Sequence, residues 1–224
     1  MDADEKIKSA IENTLVIRPP RQQLATFGST NIYYYMVTEL MQEVNVVREG
    51  RVISARPKIV TPSYLISLEG FSGPAKRYLQ MMAEQNPHEP GILYSYKNEN
   101  IEMNIVTQSL PAMLENINNR IDSSNDPLSA VIRGVEEMWD VSLIKFTFEL
   151  TRNSAYRNFS ELYGRGRFNI DEQGVPKDAR EGIEELFEMA RKDLAYAPEL
   201  ASELQRWNLW KLYQDRFLQL FKKP

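Results

Sequence analysis

The sequence contains no cysteine and only one histidine, His88, among its 224 residues. The lack of cysteine excludes disulfide bonds, thiolate nucleophiles and zinc sites built on cysteine. With a single histidine, a metal site would have to consist mostly of carboxylates, and no cluster with ligand spacing stands out. We therefore predict no metal and no cofactor, and we take the cytoplasm, a reducing compartment, as the expected location.

Long hydrophobic runs are also missing, since the longest have about six residues and a membrane helix needs about 20. The chain starts MDADEKIK, which is acidic, whereas a secretory signal peptide has a basic segment followed by an apolar core. These two absences predict a protein that neither spans a membrane nor has a membrane as its partner.

The overall composition is that of a globular protein, with 42% hydrophobic and 26% charged residues. The net charge of −4 argues against a protein that coats nucleic acid, although a local basic patch could still bind it. Nucleic acid is therefore a possible partner but not the favoured one.

Strands are predicted mainly in the first half of the chain. The stretch from 32 to 61 predicts three consecutive strands, in which Arg48-Glu49-Gly50-Arg51 closes a hairpin because Gly50 can adopt a positive φ. A further hairpin is predicted over 92–107, with its turn at 98–100. In its second strand, apolar side chains alternate with polar ones, which predicts one buried and one wet face: Ile101, Met103 and Ile105.

Helical periodicity replaces this alternation from Leu110 onward. Asp126-Pro127 is a typical helix start and predicts a long helix from Leu128 to Leu150. The fold class is therefore α+β: an antiparallel sheet of roughly five strands in the N-terminal half, packed with a helical C-terminal half. We divide the chain into a strand-rich half, 1–109, and an all-helical half, 110–224, which could also form one continuous domain.

A basic segment offers the only candidate ligand site. Between Val44 and Ala83 there are six basic residues and two acidic ones. Four of these basic side chains could together hold a phosphate or carboxylate: Arg48, Arg51, Arg56 and Lys58. The alternative interpretation is a solvated strand with charges that prevent edge-to-edge pairing.

Two other patterns have an ordinary structural explanation. Tyr33-Tyr34-Tyr35 could stack bases, but no basic residue lies among them, so we predict core packing. The segment starting at Asn169 resembles a calcium loop, but its twelfth position is Arg180 instead of the required glutamate, so we reject a calcium site.

The last predicted helix has a wide apolar arc. Its large aromatic side chains indicate either full burial or an interface with a partner or a second copy: Trp207, Trp210, Phe217 and Phe221.

These features favour a binding or assembly module that contacts a protein partner or itself, self-associating through the helical half. Two alternatives stay open. One is a binder of nucleic acid or a phosphorylated ligand at the Arg48/Arg51/Arg56 face. The other is an enzyme that uses carboxylates, arginine and tyrosine, a chemistry that leaves no short motif, and we favour it less.

Overall fold

The computed structural model describes residues 3–66, 73–86 and 88–222. By its internal contacts the chain divides into two compact units, and each is built from two separate segments. The first unit comprises residues 1–57 and 94–159, and the second comprises 58–93 and 160–224. Within the described residues, no helix is both long and apolar enough to cross a bilayer.

Strands predominate in the first half of the chain and helices in the second. The strands are β1 (Leu15–Arg18), β2 (Thr30–Met41), β3 (Val44–Ser54), β4 (Lys58–Val60), β5 (Gly91–Leu93), β6 (Tyr96–Thr107) and β7 (Ser129–Gly134). The helices are α1 (Ala3–Asn13), α2 (Pro62–Ile66), α3 (Gly73–Gln85), α4 (Leu110–Ser124), α5 (Trp139–Gly164), α6 (Lys177–Lys192), α7 (Ala197–Arg206) and α8 (Trp210–Gln219).

The first unit is organised around a five-stranded sheet with the order β1-β7-β2-β3-β6. Neighbouring strands are antiparallel except for β2 and β7, which are parallel and pair from Tyr33↔Ser129 to Thr38↔Gly134. The predicted α+β class and the five-stranded, mainly antiparallel sheet are therefore confirmed. The parallel pair at the centre was not predicted.

Helices cover both faces of this sheet because its central strands are apolar on both sides. On one face, Met113, Ile117 and Ile121 of α4 pack against Val37 and Val131. The other face packs against α5, and its buried residues are Ile32, Tyr34, Met36, Val52, Ala130, Ile132, Leu143, Phe146 and Leu150.

The hairpin turn predicted at Arg48-Glu49-Gly50-Arg51 is wrong, because residues 44–54 form one continuous strand, β3. β2 and β3 pair from Thr30↔Ser54 to Met41↔Val44, and the turn residue Glu43 has a φ of 59°. Gly50 lies in the middle of β3 instead of in a turn. A Cβ at this position would be 2.5 Å from Cζ of Tyr34, so the glycine makes room for the Tyr34 ring.

The predicted second hairpin is also wrong. Residues 96–107 form one continuous strand, β6, which pairs with β3, and residues 91–93 pair with β4 in a separate two-stranded sheet. Asn98, Glu99 and Asn100 therefore lie inside a strand. Asparagine favours turns, but here the amides of Asn98 and Asn100 bind the hydroxyl of buried Tyr34, a long-range contact that outweighs this local preference.

The predicted helix from Leu128 to Leu150 is a strand followed by a helix. Residues 129–134 form β7, whose first four residues are buried, and α5 starts only at Trp139. A strand covered on both faces is apolar without alternation, so its pattern resembles that of a buried helix. The half after residue 109 is thus not all-helical, and the two compact units do not follow a division at that point.

The second unit is mainly helical around one core. β4, α2, α6, α7 and α8 contribute its buried residues, among them Phe187 and Leu200, which are fully buried. Asp178, at the start of α6, accepts a hydrogen bond from the backbone N–H of Ile59 at 3.2 Å. The helix and the short strand are thereby fixed to each other.

Candidate interaction surface

β6 is an edge strand of twelve residues that, among the described residues, pairs on one side only, with β3. Most of its side chains are exposed, including three apolar ones: Ile101 is 60%, Met103 60% and Ile105 64% exposed. Exposed backbone groups and apolar side chains on one long edge are the features that favour pairing with another strand. We call the segment Met103–Thr107 and its outer backbone edge the β6 edge.

The pairing with β3 defines which way these side chains point. Met103 is opposite Arg48 and Ile105 is opposite Val46, so Met103 and Ile105 lie on the same face of the sheet. This is the face covered by α5, because Arg48 lies over the ring of Trp139 at 5.1 Å. The apolar side chains of the β6 edge therefore share a face with α5.

A bulge separates two unlike parts of β6. Glu102 pairs with Glu49, but Asn100 pairs with Gly50, so Ile101 is an extra residue. Bulges twist an edge and protect it from pairing, whereas the part from Glu102 to Thr107 pairs regularly with β3. The part suited to further pairing is therefore the β6 edge.

Polar contacts hold the part of β6 before the bulge. The hydroxyl of Tyr34 lies 3.0 Å from the amide oxygen of Asn98 and 3.1 Å from that of Asn100, and burial raises the pKa of Tyr34. Hydrogen bonds from Lys97 and Arg51 hold the pKa of Glu99 below its usual range. These contacts fix the first part of β6 on the sheet.

A depression of about 350 Å³ lies beside the β6 edge and is lined by Arg48, Asn100, Ile101, Glu102, Met103 and Trp139. Arg48 is already bound there: its Nη1 and Nη2 donate to the two carboxylate oxygens of Glu136 at 2.7 and 2.6 Å. The Thr38 hydroxyl donates to the same carboxylate. Because the guanidinium carries a bidentate counter-ion, an anionic ligand would have to displace Glu136.

This ion pair also fixes the protonation state of Glu136. Hydrogen bonding from Arg48 holds the pKa of Glu136 below its usual range, although burial opposes this. A general acid at neutral pH needs the opposite shift. Glu136 therefore has the properties of a structural counter-ion.

Glu136→Gln is expected to lower the free energy of unfolding by about 2 kcal/mol at neutral pH, because charged hydrogen bonds contribute about 1.5–3 kcal/mol. Since the folded-state pKa is lowered, this stabilisation is complete above the ordinary glutamate pKa of about 4.3. It is lost as the pH falls through the folded-state value. Urea unfolding of both proteins from neutral to acid pH should show the two stabilities converging.

The matched control is Glu137→Gln at the next residue, whose side chain is 73% exposed and lies 3.1 Å from Lys6. Exposed ion pairs contribute about 0–1 kcal/mol, so this change should be nearly silent. Equal losses in the two variants, or a difference that does not depend on pH, would contradict the role assigned to Glu136.

The other proposed anion-site residues are likewise engaged. Arg51 is 2.6 Å from the carboxylate of Glu99, and Arg56, just beyond the end of β3, also has an interaction partner. Lys58 belongs to the second unit and lies 3.4 Å from Glu203. The anion site stays a prediction, and within the described residues Arg48, Arg51 and Lys58 each have a carboxylate counter-ion.

Three of the four aromatic side chains proposed for an interface lie in or against the core of the second unit. Trp207 and Phe217 are buried, and Trp210 packs against that core with its ring 5.1 Å from Phe217. Phe221 is 53% exposed, but its ring lies 5.5 Å from that of Phe217 in a tilted arrangement. The sequence left two explanations for these aromatic side chains, burial or an interface, and burial applies to Trp207 and Phe217.

Core packing, predicted for the tyrosine run, is confirmed for Tyr34 only. Tyr33 is 37% exposed, and Tyr35 lies under the guanidinium of Arg120 at 5.2 Å. In the calcium-like loop, Arg180 at the twelfth position donates to Asp171 at 2.7 Å, so a cationic side chain occupies that carboxylate. Across the described ranges, no group of three or more His, Cys, Asp or Glu side chains could hold a metal ion.

The β6 edge was missed as a site from the sequence, although its signal was present. The alternation of Ile101, Met103 and Ile105 predicted a strand with one apolar face, and that face was assumed to be buried. Comparison with known proteins adds no assignment, because no family model, no curated protein and no solved structure matches the chain.

Proposed function

We propose that this chain is an assembly module that binds a protein partner by strand pairing at the β6 edge. The observation that supports the proposal is the long one-sided strand with three apolar side chains exposed by 60% or more. Strand addition of this kind obtains affinity from backbone hydrogen bonds and specificity from alternate side chains. The absence of cysteine supports the cytoplasm as the proposed location.

The proposal moves the expected contact from the helical half to the sheet. Trp207 and Phe217 support the core of the second unit, so their loss would unfold the protein before it tested an interface. Met103 and Ile105 are exposed, and replacing them leaves the core unchanged. This difference makes the β6 edge the better candidate for an association surface.

Photo-cross-linking in cells tests this proposal. With benzoyl-phenylalanine at Ile105, we expect covalent adducts on irradiation, and Met103→Lys in the same chain should abolish them because an edge lysine opposes strand pairing. The matched position is Leu212 on α8, which has the same exposure of 64% as Ile105. We expect no adduct there.

The outcomes separate the two locations for the contact. Adducts at Leu212 without adducts at Ile105 would place the association on the helical half instead of the β6 edge. The absence of adducts at both positions would contradict the assembly function itself.

A further inference from the structure

We propose that the partner strand at the β6 edge is β6 of a second copy of this chain, paired antiparallel about a two-fold axis at Asn104 or Ile105. This inference rests on the assembly function proposed above and names its partner. Two copies would then join their five-stranded sheets into one continuous sheet through this contact.

The charges of β6 all lie before the β6 edge. They belong to Lys97, Glu99 and Glu102, and residues 103–107 carry none. Like charges directly opposite each other destabilise a strand pair. An uncharged segment can pair with its own copy without that cost, so the β6 edge is electrostatically compatible with itself.

Two-fold symmetry restricts the possible registers to a few. A closed dimer uses the same patch on both copies, and the opposite residues of an antiparallel pair lie on the same face. The axis must therefore pass midway between one residue of the strand and the same residue of the second copy. An axis at Asn104 places Met103 opposite Ile105 of the second copy, and an axis at Ile105 places Ile105 opposite itself.

Registers centred earlier in the strand are less favourable. An axis at Glu102 would oppose two carboxylates, and an axis at Met103 would place Ile101, the bulge residue, opposite Ile105 of the second copy. Among the axes from Glu102 to Ile105, those at Asn104 and Ile105 confine the central pairs to uncharged residues beyond the bulge, which pair regularly with β3. The inference therefore commits to these two.

Apolar side chains on α5 fit the same arrangement. Ile144 and Phe148 are one turn apart on the outer side of α5 and are 67% and 64% exposed. In a continuous sheet both copies place α5 on the face that carries Met103 and Ile105. The exposed apolar side chains of the two helices would then lie on the same side of the joined sheet as those of the β6 edge.

Single cysteines test the register directly, because the natural chain has none. Asn104→Cys and Ile105→Cys are made separately and oxidised. A residue on the axis faces itself with a Cα separation of about 4.5–5.5 Å, within the disulfide range of about 4.4–6.8 Å. We expect one of the two variants to convert mostly to disulfide-linked dimer.

Glu102→Cys is the matched control on the same exposed strand. For either axis, its two copies would be at least four residues apart along the strands, about 13 Å at 3.3 Å per residue, which is too far to bridge. Light scattering of the unmodified chain is measured alongside and should give twice the chain mass. Met103→Lys should give the single mass.

The inference is overturned if the unmodified chain stays monomeric at all concentrations, or if the Asn104→Cys and Ile105→Cys variants cross-link no better than Glu102→Cys. Failure of this inference and failure of the assembly function are distinguishable. Adducts at Ile105 in cells with a mass other than twice that of the chain would keep the assembly function and reject the second copy. No adduct at Ile105 or at Leu212 would reject both.

Discussion

Replacing Gly50 with alanine is expected to destabilise the protein by about 3 kcal/mol, the upper part of the range for overpacked cores. The added Cβ would lie 2.5 Å from Cζ of Tyr34 and 2.8 Å from the carbonyl oxygen of Glu99. The ring is held in the core with its hydroxyl bound to Asn98 and Asn100, so it cannot move without breaking those hydrogen bonds. Urea or thermal unfolding gives the measurement.

Two further variants separate this clash from a general effect of replacing glycine. Gly28→Ala is the control, since a Cβ at Gly28 would have no atom within 4 Å, and its effect should be small. Tyr34→Leu removes the ring atoms nearest to position 50, so Gly50→Ala should cost less in that background. The same cost in both backgrounds would mean that the Tyr34 ring is not the obstacle.

Removing the Glu203 carboxylate is expected to have an effect of similar size, about 2–3 kcal/mol for Glu203→Ala, because the buried Tyr64 hydroxyl loses its charged acceptor while Lys58 and Arg206 remain partly solvated. Glu203 is buried and accepts hydrogen bonds from the Tyr64 hydroxyl at 3.0 Å and from Nη1 of Arg206 at 2.9 Å. Lys58 lies 3.4 Å away. Gln205→Ala, an exposed change on the same helix, serves as the control in denaturant unfolding.

The titration of Tyr64 gives this prediction a second readout. Burial first, and then the charge of Glu203, raise the pKa of Tyr64 to about 12. Glu203→Gln removes the charge but keeps an acceptor, so the pKa should fall but stay above the ordinary tyrosine value because burial remains. NMR of labelled tyrosine follows it. An unchanged pKa would show that the carboxylate does not act on Tyr64.

The raised pKa of Tyr64 also determines the pH above which this residue stops contributing to stability. A group whose pKa is higher in the folded state stabilises fully below its unfolded value, here about 10. The stabilisation is lost as the pH rises through about 12. At neutral pH the Tyr64 phenol is protonated in both the folded and the unfolded protein, so its ionisation does not change the free energy of unfolding there.

The elements that the sequence predicts well are those whose pattern is local. The helix that starts at Leu110 follows from its spacing, as does the strand nature of 101–105. The turn at 48–51 was wrong because Gly50 was expected to adopt a positive φ. Positive φ occurs instead at Glu43, between β2 and β3, and the need for glycine at position 50 comes from a tyrosine ring on the neighbouring strand.

The exposure of the β6 edge could not be predicted from the sequence for a related reason. Alternation says that Met103 and Ile105 share a face, but not whether anything covers that face. Whether that face is covered depends on the order of the strands in the sheet. That order depends on β7, which the sequence predicts as part of a helix because its buried residues do not alternate with exposed ones. The pairing of Arg48 with Glu136, 88 positions away, is equally non-local.

The position of β7 has a consequence for the order in which the fold can form during synthesis. β1, near the start of the chain, pairs with β7 and with no other strand of this sheet. β2, β3 and β6 can assemble on contacts nearer in sequence, but β1 must wait until residues 129–134 have left the ribosome. Closing a loop of this length carries an entropic cost before any pairing is gained. The positions of β7 and β1 beside β2 are thus the last part of the sheet to be completed, and until then the side of β2 that pairs with β7 is a second open edge.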